Sequence, residues 1–224
     1  MTAPIRAALF DFDGTLADSF EAITASTNHV RHSFGLPALT EAEVRAYVGH
    51  GLENLMEELC PGFDTAEAVR RYREHHPSVM VSGTRLFPGV ADTLATLHAR
   101  GIKLAVCSNK AVAFTRSLIR SLGLGELMSA VFGPEDAGGK PKPDPTMLLA
   151  ACERLGVTPA ETVYVGDMSI DVLAGKAAGI PVWLVNVGQA GTDDPRTLGP
   201  DKVLGDFREI LAWFPSPLGE RGQG

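Results

Sequence analysis

Residues 5–10 form a short, almost unbroken apolar run that stops at the polar turn Asp13-Gly14-Thr15, the pattern of a buried strand. From about residue 16 to residue 85 the texture changes. Apolar residues recur at helical spacing, first as Ile23, Val30 and Phe34, then as Val44, Val48, Leu52, Leu55, Met56 and Leu59. Breakers at Gly35-Leu36-Pro37, Pro61-Gly62 and Pro77 divide this stretch into three or four helices. Thr40 followed by Glu43 has the form of a capping box that opens one of them. Beyond Pro88 the two periods alternate. Helices are predicted over 90–99, 114–122, 145–155 and 172–178, with Gly101, Gly123, Gly156 and Gly179 as stops, and strands over 103–107, 162–165 and 181–185.

Near-continuous apolar strands joined by helices imply a parallel sheet covered on both faces. The predicted fold class is α/β, a doubly wound parallel-sheet core of Rossmann type with a small α-helical cap inserted after the first strand. The expected division is a core of residues 1–15 and 86–214, a cap of residues 16–85, and a flexible tail over the Pro/Gly-rich residues 215–224.

Composition narrows the function. Of 224 residues, 45% are hydrophobic and 21% charged, which suits a globular protein and excludes global disorder. No apolar run approaches the ~20 residues of a membrane span, and Asp11 and Asp13 interrupt the N-terminal apolar stretch, so neither an anchor nor a secretory signal is expected. The net charge of -7 lacks the electrostatic footprint of a nucleic-acid binder. Cys60, Cys107 and Cys152 are widely spaced without a CxxC, and read as buried free thiols in a reducing cytoplasm. An acidic chain that handles an anion must build positive potential locally, from a metal, a lysine and backbone amides.

The polar residues that follow the predicted strands supply such parts. They are Asp11-Phe12-Asp13-Gly14-Thr15, Ser108-Asn109-Lys110, Lys140-Pro141-Lys142-Pro143, and Gly166-Asp167 with Asp171. In an open α/β sheet, ligands bind beyond the carboxyl ends of the strands, so the four clusters are expected to share one cleft. Carboxylates gathered there would repel one another unless a cation joined them, and an all-oxygen set with open positions suits Mg²⁺. Backbone amides around Gly14 could add donors for an anion. One of two aspartates spaced by a single residue can attack phosphorus while the other handles protons.

These four clusters, in this order, resemble the motifs of the haloacid dehalogenase superfamily, and residues 11–19 with Phe87-Pro88-Gly89 are similar to its phosphoglycolate phosphatase group. The resemblance implies that Asp11 is the nucleophile and a metal ligand, and that Asp13 is the acid/base, reaching metal through its carbonyl. It further implies that Ser108 holds a phosphate oxygen, that a lysine neutralises phosphate and nucleophile, and that Asp167 completes the Mg²⁺ site. Asp171 is grouped with the metal set as its hydrogen-bonded support. Both Lys140 and Lys142 fit Lys-Pro-x-Pro; in the family the helix that follows normally ends at a glycine about fourteen residues on, so the resemblance, through Gly156, implies Lys142 and leaves Lys140 in reserve. Gly14, Thr15 and Asn109 are expected at the substrate. An aspartate at position 13 separates phosphoryl transfer from dehalogenation, and Val48-Gly49-His50-Gly51-Leu52 in the cap is nearer the hydrolases than the sugar phosphomutases.

Plainer readings stand beside these. Ser108 could be a helix N-cap, Asp171 an ordinary helix-start residue, and Lys110 either a neighbour of the phosphate site or a solvated surface residue. His29, His32, His75, His76 and His98 read as surface or satisfied core residues, whereas His50, flanked by glycines, could reach substrate. The resulting expectation is a Mg²⁺-dependent hydrolase of a small phosphorylated metabolite, phosphoglycolate foremost, whose lid hinges near residues 16–18 and 85–88. Pyrophosphate hydrolysis, sugar phosphate mutation and non-catalytic sensing of Mg²⁺ and phosphate are the alternatives. Oligomeric state is left open.

Overall fold

The computed structural model describes residues 4–186, 188–189 and 191–214. The expected tail over 215–224 lies outside them.

Strand β1, Ala7–Phe10, is completely buried and sends successive side chains to opposite faces. Ala8 and Phe10 join the apolar cluster on one side of the sheet, and Ala7 and Leu9 join the cluster on the other. The chain then makes a two-residue strand β2, Ala17–Asp18, and leaves the core for four helices: α1 (Phe20–Ser33), α2 (Glu41–Arg45), α3 (Leu52–Leu59) and α4 (Thr65–His75). It returns through β3, Arg85–Leu86, which pairs antiparallel with β2. The remainder alternates: α5 (Val90–Ala99), β4 (Lys103–Cys107), α6 (Val112–Ser121), β5 (Ala130–Phe132), α7 (Thr146–Leu155), β6 (Thr162–Gly166), α8 (Ser169–Ala178), β7 (Val182–Leu184) and β8 (Lys202–Val203).

The main sheet is parallel, in the order β5-β4-β1-β6-β7-β8. Leu9 is in register with Ala105 of β4 on one side and Tyr164 of β6 on the other. From β1 the order grows outward in both directions, which makes β1 the switch point and opens a crevice at its carboxyl end. α7 and α8 each stop at a left-handed glycine, Gly156 (φ 63°) and Gly179 (φ 69°).

Several elements differ from the sequence expectation. The apolar series Val44 to Leu59 is not continuous helix: α2 ends at Arg45, and Gly49 and Gly51, with φ of 115° and 94°, turn the chain before α3 begins. α2 itself opens on the expected box, with Thr40 N donating to Glu43 (2.7 Å) and Glu43 N donating to Thr40 Oγ1 (3.3 Å). The presumed hinge segments are hydrogen-bonded to each other as β2 and β3. The short strands β5 and β8 carry too few residues to show a period. The insertion has an apolar cluster of its own, built on Ile23, Val30, Val44, Leu55 and Tyr72, which continues across to Met168 and Ile170 of the core.

Candidate active site

Asp11 follows the last residue of β1 and is 5% exposed; Asp167 follows β6, and Asp171 lies in the first turn of α8, each 1% exposed. One carboxylate oxygen from each of the three lies within 4.8 Å of the others. Lys142 enters this acidic nest from the loop before α7 and is itself buried, whereas Lys140 is exposed. Its ammonium lies 2.9 Å from Asp11 Oδ1, an ion pair outside hydrogen-bonding alignment, and donates to Asp171 Oδ1 (2.7 Å) and the Tyr164 hydroxyl (2.8 Å). Tyr164 lies 2.9 Å from Asp171 Oδ1 and 3.0 Å from the Cys107 carbonyl, its single proton serving one of the two.

Asp171 has little left for a ligand. Oδ1 meets Lys142 and Tyr164, and Oδ2 accepts from the amides of Asp167 (3.1 Å) and Met168 (3.0 Å) at the start of α8. The aspartate therefore props the lysine and caps the helix together, while its carboxylate stays grouped with those of Asp11 and Asp167. Asp167 is different. Its Oδ1 accepts from Thr15 (2.7 Å), but Oδ2 is buried without any hydrogen-bond partner. An orphaned buried carboxylate oxygen is costly. Gly14 leaves the room beside it: with φ 87°, a Cβ there would come within 2.3 Å of that oxygen.

The electrostatics agree with that count of charges. Burial, reinforced by Asp171, pushes Asp11 up to about 6 against the opposing pull of Lys142 and Ser108. Burial and then the charges of Asp171 and Asp11 push Asp167 well above the usual carboxylate range. Burial disfavours the Lys142 ammonium, but Asp11 and Asp171 outweigh it and hold it charged. A single lysine does not balance three buried carboxylates. The donor set is all oxygen, two of its oxygens (Asp11 Oδ1 and Asp167 Oδ2) accept no hydrogen bond among the described residues, and a cation at this nest would satisfy both deficits.

Asp13 stands apart from the nest. It accepts a hydrogen bond from Ser19 Oγ, and its two oxygens lie 3.3 and 3.2 Å from Lys110 Nζ. Asp11, Asp13 and Ser108 face a cavity that continues between core and insertion, where Ile23, Val48, Leu52, Leu55 and Tyr72 form one wall and Phe114 of α6 another.

Four expectations shift. The amides of Gly14 and Thr15 are bonded to Ala17 and Phe12 within the turn, and Thr15 Oγ1 turns to Asp167, so neither residue is open to an anion. The Asn109 side chain is spent on positioning: its oxygen accepts from the Lys142 amide (2.7 Å), and its nitrogen is shared between the carbonyls of Lys142 and Gly49 (3.0 Å each). His50 is exposed and does not line the cavity, which its neighbours Gly49 and Gly51 do. Ser108 is not a helix N-cap, because α6 begins after Ala111. Reading the sequence missed Tyr164, Ser19 and Asn186, whose amide donates to the carbonyls of Gly14 and Thr15 (3.2 Å each) and pins the loop under Asp13.

Residues 8–185 match the model of the haloacid dehalogenase-like hydrolases. The chain belongs to that family. A plasmid-encoded phosphoglycolate phosphatase of Cupriavidus necator is 35% identical, with 95% of this chain and 94% of the relative covered. The phosphoglycolate phosphatase of Rhodospirillum rubrum is 34% identical, with 96% and 94% covered. Among solved structures, a predicted phosphoglycolate phosphatase from Haemophilus somnus superposes with a TM-score of 0.85 at 25% identity, covering 95% of this chain and 99% of that one. A hydrolase of the family from Deinococcus radiodurans, with bound phosphate and sodium, gives 0.71 at 27% identity over 94% and 95%. The family member described here is thus phosphoglycolate phosphatase-like, a phosphoric monoester hydrolase.

Proposed function

We propose that the enzyme hydrolyses a compact phosphomonoester, 2-phosphoglycolate foremost, through an aspartyl-phosphate on Asp11, with Mg²⁺ as its cation. The observation that carries this reading is that two buried aspartates, Asp11 and Asp13, line one cavity, which suits a nucleophile and a separate proton carrier. The printed activity of the relatives supports the choice of ester.

Asp11, Asp167 and the backbone carbonyl of Asp13 would hold the ion, and the orphaned Oδ2 of Asp167 is the atom most in need of it. When bound, Mg²⁺ supplies positive charge against which a phosphate dianion can approach a carboxylate. The protein's own groups do the rest. Lys142 keeps Asp11 oriented and partly neutralised while its carboxylate attacks phosphorus. Ser108 takes a phosphoryl oxygen. As the phosphorus–ester oxygen bond breaks, its electron pair goes to that oxygen, which receives a proton from Asp13. Asp13 then accepts a proton from water, the resulting hydroxide attacks phosphorus, and inorganic phosphate leaves with Asp11 regenerated. The apolar wall of the insertion excludes bulk water during these steps.

Phosphate release from 2-phosphoglycolate, measured with and without Mg²⁺ in the unaltered enzyme and in Asp11→Asn, tests this reading. Release is expected to require Mg²⁺ and to fall at least about 10³-fold in the variant. Turnover that survives in Asp11→Asn would refute the covalent route.

A further inference from the structure

Lys110 was an open question in the sequence, and the chemistry above leaves it without a task. The residue is half-buried, yet its side chain is only 7% exposed, and long charged side chains are rarely placed so without a reason. Among the described residues that line the cavity it is the one cation. Lys142, the other buried ammonium, is enclosed by the Asp11 ion pair and by its hydrogen bonds to Asp171 and Tyr164.

Lys110 is not saturated in that way. Both of its contacts go to the same carboxylate, Asp13, at 3.2 and 3.3 Å. These are longer than the ~2.7–2.9 Å of a well-formed ammonium–carboxylate hydrogen bond. The ammonium therefore keeps donor capacity on the side turned from Asp13. That side belongs to the leaving group, because Asp13 is the group that protonates the departing oxygen. The Tyr72 hydroxyl, on the facing wall of the cavity, likewise has no hydrogen-bond partner among the described residues. Among the described residues, no acidic side chain but those of Asp11 and Asp13 lines the space, and Ile23, Leu52, Leu55 and Phe114 give it apolar surface.

We propose that Lys110, assisted by the Tyr72 hydroxyl, binds a second anion carried by the leaving group, and so selects phosphate esters of short hydroxy acids over neutral esters. The inference rests on the phosphatase reading and on the role given to Asp13. An ammonium set in apolar surroundings discriminates strongly for charge, since the contact is little screened there. The cavity, about 50 Å³ in volume, holds only a few water-sized groups and keeps the acid short.

The test is a pair of esters of similar size, 2-phosphoglycolate and 2-hydroxyethyl phosphate, assayed with Mg²⁺ on the unaltered enzyme, Lys110→Met, Lys110→Arg and Tyr72→Phe. Both esters are expected to suffer in Lys110→Met, because Asp13 loses its neighbour. The informative quantity is the ratio of their kcat/KM values. It is expected to favour the acid in the unaltered enzyme and to fall on the order of 10- to 100-fold in Lys110→Met, the worth of one charge-assisted contact, chiefly through KM for the acid. Lys110→Arg should restore part of the ratio, and Tyr72→Phe should lower it several-fold, which keeps the test decisive if Lys110→Met does not fold.

An unchanged ratio in Lys110→Met and Tyr72→Phe would reduce Lys110 to a counter-ion of Asp13 and overturn the proposal. So would an unaltered enzyme that prefers the neutral ester, although the phosphatase reading would then stand. Release from neither ester would overturn both.

Discussion

Lys142 is a buried cation among three buried carboxylates, and its removal would leave those charges without any protein counterpart. Lys142→Met is expected to cost the metal-free protein about 3–5 kcal/mol in urea unfolding, and added Mg²⁺ should return part of the loss. Equal stability of variant and parent without metal would show that the nest is already neutralised by protons. Gly14→Ala makes a narrower test of the same nest. Its Cβ would fall against Asp167 at a left-handed φ of 87°, so weaker Mg²⁺ binding by calorimetry is expected together with a loss of stability. At this scale the sequence was most informative where chemistry-bearing residues are close along the chain, as in Asp11-x-Asp13 and Asp167 with Asp171. Lys142 could be chosen over Lys140 only through the distance to Gly156. Tyr164 could not be found at all, since within an apolar strand it looks like core. Its hydroxyl meets Asp171 at the start of α8, the Cys107 carbonyl of β4 and Lys142 of the loop before α7, three groups that only the folded sheet brings together.

Among the elements, α4 and the turn after it bring a titratable group into the insertion's interior. His76 is fully buried, with Nδ1 2.9 Å from Ser26 Oγ and its ring stacked on Tyr72 (4.8 Å between centroids) and set edge-on to Phe114 (5.0 Å). Burial pushes its pKa down to about 2, and the facing charges of Lys110 and His75 act in the same direction. A depressed histidine stabilises the fold above its ordinary pKa of 6.5, and that contribution is lost as pH falls from there towards the folded value. Stability should therefore drop by up to about 1.4 kcal/mol per pH unit below 6 from this one group. Thermal unfolding at pH 7.5 and 5.5 should show a smaller difference in His76→Phe than in the parent. α2 is tied down differently. Arg45 lies 3.9 Å from the centroid of the Phe20 ring and reaches Asp18 (3.3 Å), Glu41 (2.8 Å) and Gln189 (3.2 Å), and its carbonyl accepts from Gly191. Those contacts are partly exposed, so Arg45→Ala should cost no more than about 1 kcal/mol yet speed amide exchange across α2. Helix and strand types were readable from period, but the break between α2 and α3 was not. Val44, Val48, Leu52 and Leu55 keep helical spacing on both sides of it and still bury together, so the apolar pattern does not register the turn.

Across the whole molecule, Met168 is one of the groups through which the insertion and the core meet. It follows Asp167, is 4% exposed and belongs to the insertion's apolar cluster, and a Cβ on Gly49 would strike its sulfur at 2.4 Å. Met168→Ala is expected to cost about 2–5 kcal/mol and to raise KM, because it hollows the support behind Gly49, which lines the cavity; urea unfolding and steady-state assays check the two parts. This contact was invisible in the sequence, where Gly49 and Met168 are far apart and neither suggests a partner. The order of clusters along the chain did predict that the four strand ends share one crevice. The paired strands β2 and β3 have a consequence for ancestry and engineering. Since Asp18 and Arg85 stand side by side, the core experiences everything between them as a single closed loop, and loop length is thermodynamically cheap. A different set of helices, or a bare turn, could be grafted at that ribbon without redrawing the sheet. The insertion that walls the cavity can therefore change without moving Asp11, Lys142 and Asp167, whereas Lys110, set beside Asp13 in the core, is bound to the chemistry.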